Sequence, residues 1–172
     1  MKIAWLHGLE SKPDKDRNNL MNSYFDEFYA PHIDYKRDKD IIFDKTLKEI
    51  KDFNPDVIAG SSMGAWMAFH IGNNLNIPTL LFNPALSDRS LDVRYKTGNS
   101  KPLHTIVLGN QDIVVPPDET IEWLKNNKNN VKVSYENIGH RIPFVVFKKY
   151  MRIYLNMNES ILPFSDWLNK NS

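Results

Sequence analysis

The stretch Gly60-Ser61-Ser62-Met63-Gly64 sets Ser62 two residues from a glycine on either side. Glycines at that spacing relieve crowding where a backbone turns sharply from strand to helix, and they leave the central serine's Oγ clear of the sheet. The apolar run 57–59 before it and the apolar stretch 63–74 after it supply the strand and the helix. Ser61 lacks the glycine flanks and reads as a small filler at the strand end. A serine hydroxyl is a weak nucleophile at neutral pH and needs a base within hydrogen-bond reach, itself held by a third group. Histidine, with an ordinary pKa of about 6.5, is the usual base.

Five histidines are available: His7, His32, His70, His104 and His140. His70 follows Ser62 by eight residues on the same helix, more than two turns away. His104 enters an apolar run at the end opposite the site, and His32 precedes a weak one. His140 stands after Gly139 in a loop past the last strand, at the correct end. The orienting acid belongs between serine and histidine, past a strand. Asp112, after the apolar run 105–108 and Gly109-Asn110-Gln111, fits that position. Asp88 is the rival acid, and Asp118 suits a helix-start role.

These residues need elements to position them. Short apolar runs at 3–6, 33–35, 57–59, 79–82, 105–108 and 131–135 predict six strands. Stretches at 14–29, 40–53, 63–74, 118–127 and 144–156 carry helical spacing. Alternation of strand and helix predicts a single α/β domain over residues 1–172. Its architecture is a three-layer α/β/α sandwich with a doubly wound, mostly parallel six-stranded sheet. The weak run 33–35 and the alternating run 131–135 suit the edges. Ligands of such sheets bind past the carboxyl ends of the strands. His7, Ser62, Asp112 and His140 all fall there. Two donors are needed for an oxyanion. The backbone N–H of Met63, at a helix start, and that of Leu9 in the first loop are the candidates, with Glu10 the alternative to Leu9. His7 is expected to brace this loop through a hydrogen bond.

The order Ser62, Asp112, His140 is that of the α/β-hydrolase elbow arrangement, and the chain resembles that superfamily over nearly its whole length. Within it, the chain is similar to the small bacterial YqiA-like serine esterases. The likeness rests on Trp5-Leu6-His7-Gly8-Leu9-Glu10-Ser11-Lys12-Pro13, on the elbow at residues 60–64 and on Asn83-Pro84-Ala85. Lys12 departs from the pattern, where a second serine is expected. The resemblance implies a minimal α/β-hydrolase fold without the first two strands and without a large lid. It also implies hydrolysis of small acyl esters.

Composition narrows the alternatives. Twenty-two Lys and Arg against 21 Asp and Glu leave no basic excess for nucleic acid. The chain has no cysteine, which removes disulfides and thiol catalysis. No apolar run approaches the ~20 residues of a membrane span, and cytoplasm is the default location. No cofactor or metal is expected, since neither a phosphate-binding glycine pattern nor metal-ligand spacing occurs. Ester, thioester and amide hydrolysis share this chemistry and stay open, as does a non-catalytic binding cleft. A flavodoxin-like binder holding phosphate at the Gly-Ser-Ser turn would leave Asp112 and His140 unexplained. Trp66 reads as core more than as pocket lining, and Arg89 and Arg94 as loop charges. Leu162, Phe164, Trp167 and Leu168 read as a short docking helix.

Overall fold

Apolar and β-branched residues dominate the strands because both faces of each central strand are covered by helices. The computed structural model describes residues 1–9, 11, 14–37, 41–87, 101–127 and 129–156. In chain order the elements are β1 (Lys2–Leu6), α1 (Lys15–Tyr24), β2 (Glu27–Tyr29), α2 (Ile42–Phe53), β3 (Val57–Ser61) and α3 (Met63–Leu75). Then come β4 (Thr79–Phe82), β5 (His104–Gly109), α4 (Pro117–Asn126), β6 (Val131–Glu136) and α5 (Phe144–Asn156). The strands form one sheet in the order β2-β1-β3-β4-β5-β6. Among the described residues every pairing is parallel.

Strand residues alternate between the two faces. Ala4, Leu6, Ile58, Leu81, Ile106 and Leu108 pack with buried residues of α2, α3 and α4. Ile3, Trp5, Val57, Ala59, Phe82 and Val107 pack with α1 and α5 on the other face. These are the three layers of an α/β/α sandwich. From β1 the chain runs outward to β2 and then back past β1 to β3. The sheet's switch point therefore lies between the ends of β1 and β3, the place where ligands of such sheets bind.

The second strand is not where the apolar run 33–35 placed it. Helix α1 stops at Tyr24, where the Phe25 N–H donates to the Met21 carbonyl at 3.0 Å. The chain then lays Glu27–Tyr29 along Lys2–Ala4 as the edge strand, with Lys2 and Glu27 in an ion pair at 3.1 Å. Ile33 and Tyr35 are buried without pairing to the sheet. They reach inward to His7: the Ile33 N–H donates to His7 Nε2 at 3.0 Å and the Tyr35 hydroxyl donates to the His7 carbonyl at 2.6 Å. Alternating burial of two apolar residues imitates a strand whether the backbone pairs or not. Asp88, Arg89, Arg94 and the four apolar C-terminal residues lie outside the described residues. No helix among the described residues is long and apolar enough to cross a membrane.

Two histidines far from the strand ends carry a stability consequence. His104 Nδ1 accepts from the Thr79 hydroxyl at 2.8 Å, and its Nε2–H donates to Asn73 Oδ1 at 3.3 Å. Burial pushes His104 down to about 3, with neighbouring His70 adding to it, and burial pushes His70 down to about 4. The unfolded chain therefore binds more protons than the folded one below about pH 6.5. This stability is present in full above that pH and drains away as pH falls toward 4 and 3. By pH 4.5 the loss is roughly 2–3 kcal/mol for each residue. The urea midpoint is expected to drop steeply between pH 7 and 4.5, and less steeply in His70→Gln. A flat profile would contradict neutral burial.

Candidate active site

The chain leaves β3 through a backbone few side chains accept. Ser62 has φ 53° and ψ −118°, outside the regions open to most L-residues. Such a conformation persists only where the surroundings impose it. A Cβ on Gly64 would collide with the Leu6 carbonyl oxygen and lie 2.5 Å from that of His7, and one on Gly60 would lie 2.6 Å from the Gly64 carbonyl oxygen. Glycine at both positions lets α3 start directly against the end of β1. The Ser62 N–H donates to the Phe82 carbonyl at 2.9 Å, and the Ser62 carbonyl accepts from the Trp66 N–H at 3.0 Å. The serine is thus held by its main chain, and its side chain is left for another partner.

That partner is His140. Its Nε2 lies 3.0 Å from Ser62 Oγ, and its Nδ1 lies 2.8 Å from Asp112 Oδ2. An ionised carboxylate only accepts, so the imidazole proton sits on Nδ1 and the Nε2 lone pair faces the serine hydroxyl. The Asp112 side chain is 0% exposed, and that of His140 is 23% exposed. Asp112 Oδ1 accepts from the N–H groups of Val114 and Val115, both at 2.9 Å, which fixes the carboxylate's rotation. Residues 78 and 28 positions apart in sequence form one unbroken hydrogen-bonded line.

The first loop closes on the same place. A Cβ on Gly8 would lie 3.4 Å from Ser62 Cβ, so the loop runs along the elbow. His7 Nε2 accepts from Ile33, which places its proton on Nδ1, and that group donates to the Gly8 carbonyl at 2.8 Å. Burial, with His32 stacked 5.8 Å away, holds His7 below the ordinary histidine value; the bond to Gly8 acts against this. The Gly8 carbonyl also accepts from the Ser11 N–H at 3.2 Å and the Ser11 hydroxyl at 3.1 Å. In a trans peptide the next N–H points opposite to the carbonyl. Three donors on the Gly8 oxygen therefore fix the direction of the Leu9 N–H. Met63 is the first residue of α3, and the first N–H groups of a helix have no acceptor within it.

Residues 2–133 match the uncharacterised protein family UPF0227. The chain belongs to this family. Solved structures of the α/β-hydrolase superfamily share its fold. A candidate hydrolase of that superfamily from Xanthomonas campestris pv. campestris is 18% identical, with 91% of this chain and 97% of that chain covered and a TM-score of 0.67. A monoacylglycerol lipase from Paleococcus ferrophilus is 14% identical, with 91% and 93% covered and a TM-score of 0.63. A carboxylesterase from Bacillus cereus is 20% identical, with 90% and 87% covered and a TM-score of 0.59. No curated protein matches the sequence.

In this UPF0227 chain Ser62, Asp112 and His140 are joined by hydrogen bonds, Met63 follows Ser62 in the chain, and Leu9 follows Gly8, which lies beside Ser62. Trp66 is 2% exposed in the core beside Phe43 and His70, so it lines no open pocket. Asp118 lies in the first turn of α4. Glu10 and Lys12 are outside the described residues. Among the described residues no group of three or more His, Cys, Asp or Glu is arranged to hold a metal ion. Two features went beyond the sequence reading: the Val114 and Val115 amides on Asp112, and the hydrogen bonds of the Asn83 side chain, a position that the Asn83-Pro84-Ala85 motif marks without showing what its side chain does.

Proposed function

We propose that the chain hydrolyses small carboxylic esters through a Ser62-His140-Asp112 triad. The hydrogen-bonded line from Asp112 through His140 to Ser62 at a strained elbow is the observation that carries this reading. Ser62 Oγ attacks the acyl carbon while His140 Nε2 takes its proton. Asp112 keeps the imidazole in the useful tautomer and supports the positive charge that develops. The N–H groups of Leu9 and Met63 hold the oxygen that becomes negative. As the tetrahedral species collapses, the ester C–O bond breaks and the alcohol leaves with the proton from Nε2. Water then attacks the acyl-enzyme, again giving a proton to His140, and the acid departs with Ser62 restored.

Two further points support an acyl ester. Leu9, Ile113, Val114, Phe144 and Val145 are exposed apolar side chains on the segments that carry these residues or follow them. Similar structures include a carboxylesterase and a monoacylglycerol lipase. The decisive experiment combines a fluorophosphonate probe with p-nitrophenyl acetate, a matching thioester and an anilide. One adduct on the Ser62 peptide, with the oxygen ester turned over fastest, is the expected result. No adduct and no turnover of any substrate would overturn the reading.

A further inference from the structure

Asn83 stands at the end of β4, between the strand that leads to Ser62 and the strand that leads to Asp112. It is 2% exposed and has φ 44°, in the left-handed region that asparagine tolerates better than most residues. Its N–H extends the ladder to β5 by donating to the Val107 carbonyl at 2.9 Å. Its side chain does something the sheet does not require. Oδ1 accepts from the Gly109 N–H at 2.7 Å. Nδ2 donates to the Gly139 carbonyl at 3.2 Å and to the His140 carbonyl at 3.1 Å.

Each of these partners bears on the candidate triad. Gly109 ends β5, and its own carbonyl accepts from the Asp112 N–H at 3.2 Å, closing the turn that presents the carboxylate. Gly139 and His140 are the backbone of the loop that presents the imidazole. Next to Asn83, the Phe82 carbonyl accepts from the Ser62 N–H, and the Ala85 N–H donates to the Ser62 carbonyl at 3.3 Å. The end of β4 thus touches the main chain at the serine, at the turn of the acid and at the histidine. The Asn83 carboxamide joins the last two directly.

We propose that Asn83 is a positioning residue: one buried carboxamide sets the acid-bearing turn and the histidine-bearing loop at a fixed spacing, so that His140 meets Asp112 and Ser62 together. This rests on the ester-hydrolase reading for its consequence, not for its geometry. The site needs one acceptor and two donors, and asparagine supplies both in a short side chain. Aspartate has the same shape but would turn an oxygen toward the Gly139 and His140 carbonyls. Alanine would leave the buried Gly109 N–H and the part-buried Gly139 and His140 carbonyls without this partner. Reaction rates fall as much as about 100-fold when reacting groups are displaced by about 1 Å.

The test compares wild type, Asn83→Asp, Asn83→Ser and a control, Thr79→Val. The control removes a buried side-chain hydrogen bond on His104, at the other end of the sheet. For p-nitrophenyl acetate, Asn83→Asp is expected to lower kcat by roughly 10- to 100-fold with KM changed less than about threefold. Fluorophosphonate labelling of Ser62 should slow by the same factor. The deficit should deepen as pH rises and the introduced carboxyl ionises. Asn83→Ser should lose less, and Thr79→Val should lower the unfolding temperature while keeping kcat. A kcat within about threefold of wild type in both Asn83 variants would overturn the proposal. So would loss of folding in both, which would assign Asn83 to stability alone. The low-field Nδ1–H proton resonance of His140, followed by NMR in wild type and Asn83→Asp, needs no turnover. If wild type hydrolyses nothing and that resonance still moves, the positioning role stands and the hydrolase reading falls. If it does not move, the positioning role falls as well.

Discussion

Ser62→Ala is expected to cut kcat for p-nitrophenyl acetate by roughly 10⁵-fold and to abolish fluorophosphonate labelling, with the circular dichroism spectrum unchanged. The size follows from what Oγ does in the proposed reaction. It forms the acyl bond, and no neighbouring group replaces it, since Ser61 belongs to β3 and the line from Asp112 ends on Ser62. The folded state loses little. Among the described residues Oγ makes one hydrogen bond, to His140, and a neutral bond of this kind contributes about 1 kcal/mol net. Alanine also keeps the strained elbow, because φ 53° is as uncomfortable for it as for serine. The unfolding temperature should therefore stay within a few degrees of wild type. A residual rate above background is expected from the Leu9 and Met63 amides, which would still hold an oxyanion formed by attack of water. Undiminished turnover would remove Ser62 from the reaction and would be the plainest refutation of the proposed function.

The candidate site was legible because its chemistry is tied to places that sequence can locate. A serine between glycines, an acid and a histidine each follow an apolar run, and in a parallel sheet all those ends lie on one side. Ser62, Asp112 and His140 could therefore be brought together without knowing how far apart the strands sit. The second strand was not legible. The aromatic residues Tyr24, Phe25 and Phe28 have helical spacing, yet the backbone leaves the helix after Tyr24. Ile33 and Tyr35 alternate like a strand, yet they hold His7.

The role of Asn83 was hidden for another reason. Its partner carbonyls lie 56 and 57 residues downstream, and a carbonyl has no side-chain identity to read. The Val114 and Val115 amides on Asp112 are hidden in the same way. Residues that react announce themselves by type, whereas residues that aim them act through the main chain, which every residue has. The groups that support such a site are therefore the part that only the folded chain discloses. In this chain they include the Gly8 carbonyl with its three donors as well as Asn83.

Asp112→Asn tests that aiming at its most sensitive point, and its expected cost is about 10⁴ in kcat near neutral pH. The replacement has nearly the same shape, and its carboxamide oxygen can still accept from the Val114 and Val115 amides. The amide nitrogen then faces His140 Nδ1 at the place where Oδ2 stood, 2.8 Å away. A donor there requires Nδ1 to be the acceptor, so the imidazole proton moves to Nε2. In that tautomer His140 presents a hydrogen to Ser62 Oγ instead of a lone pair, and it has no basic site for the serine proton. The charge that supports the imidazolium is lost as well. Substrate contacts are untouched, so KM should change little, and labelling of Ser62 should slow in parallel with kcat. Asp112→Ala removes the carboxylate without imposing the wrong tautomer, because water can take either role toward Nδ1. It should therefore be no slower than Asp112→Asn, although it loses more of the bonding that holds the 112–115 turn. If Asp112→Asn instead keeps kcat within tenfold of wild type, Asp112 serves only to hold that turn, and His140 is oriented by its loop alone.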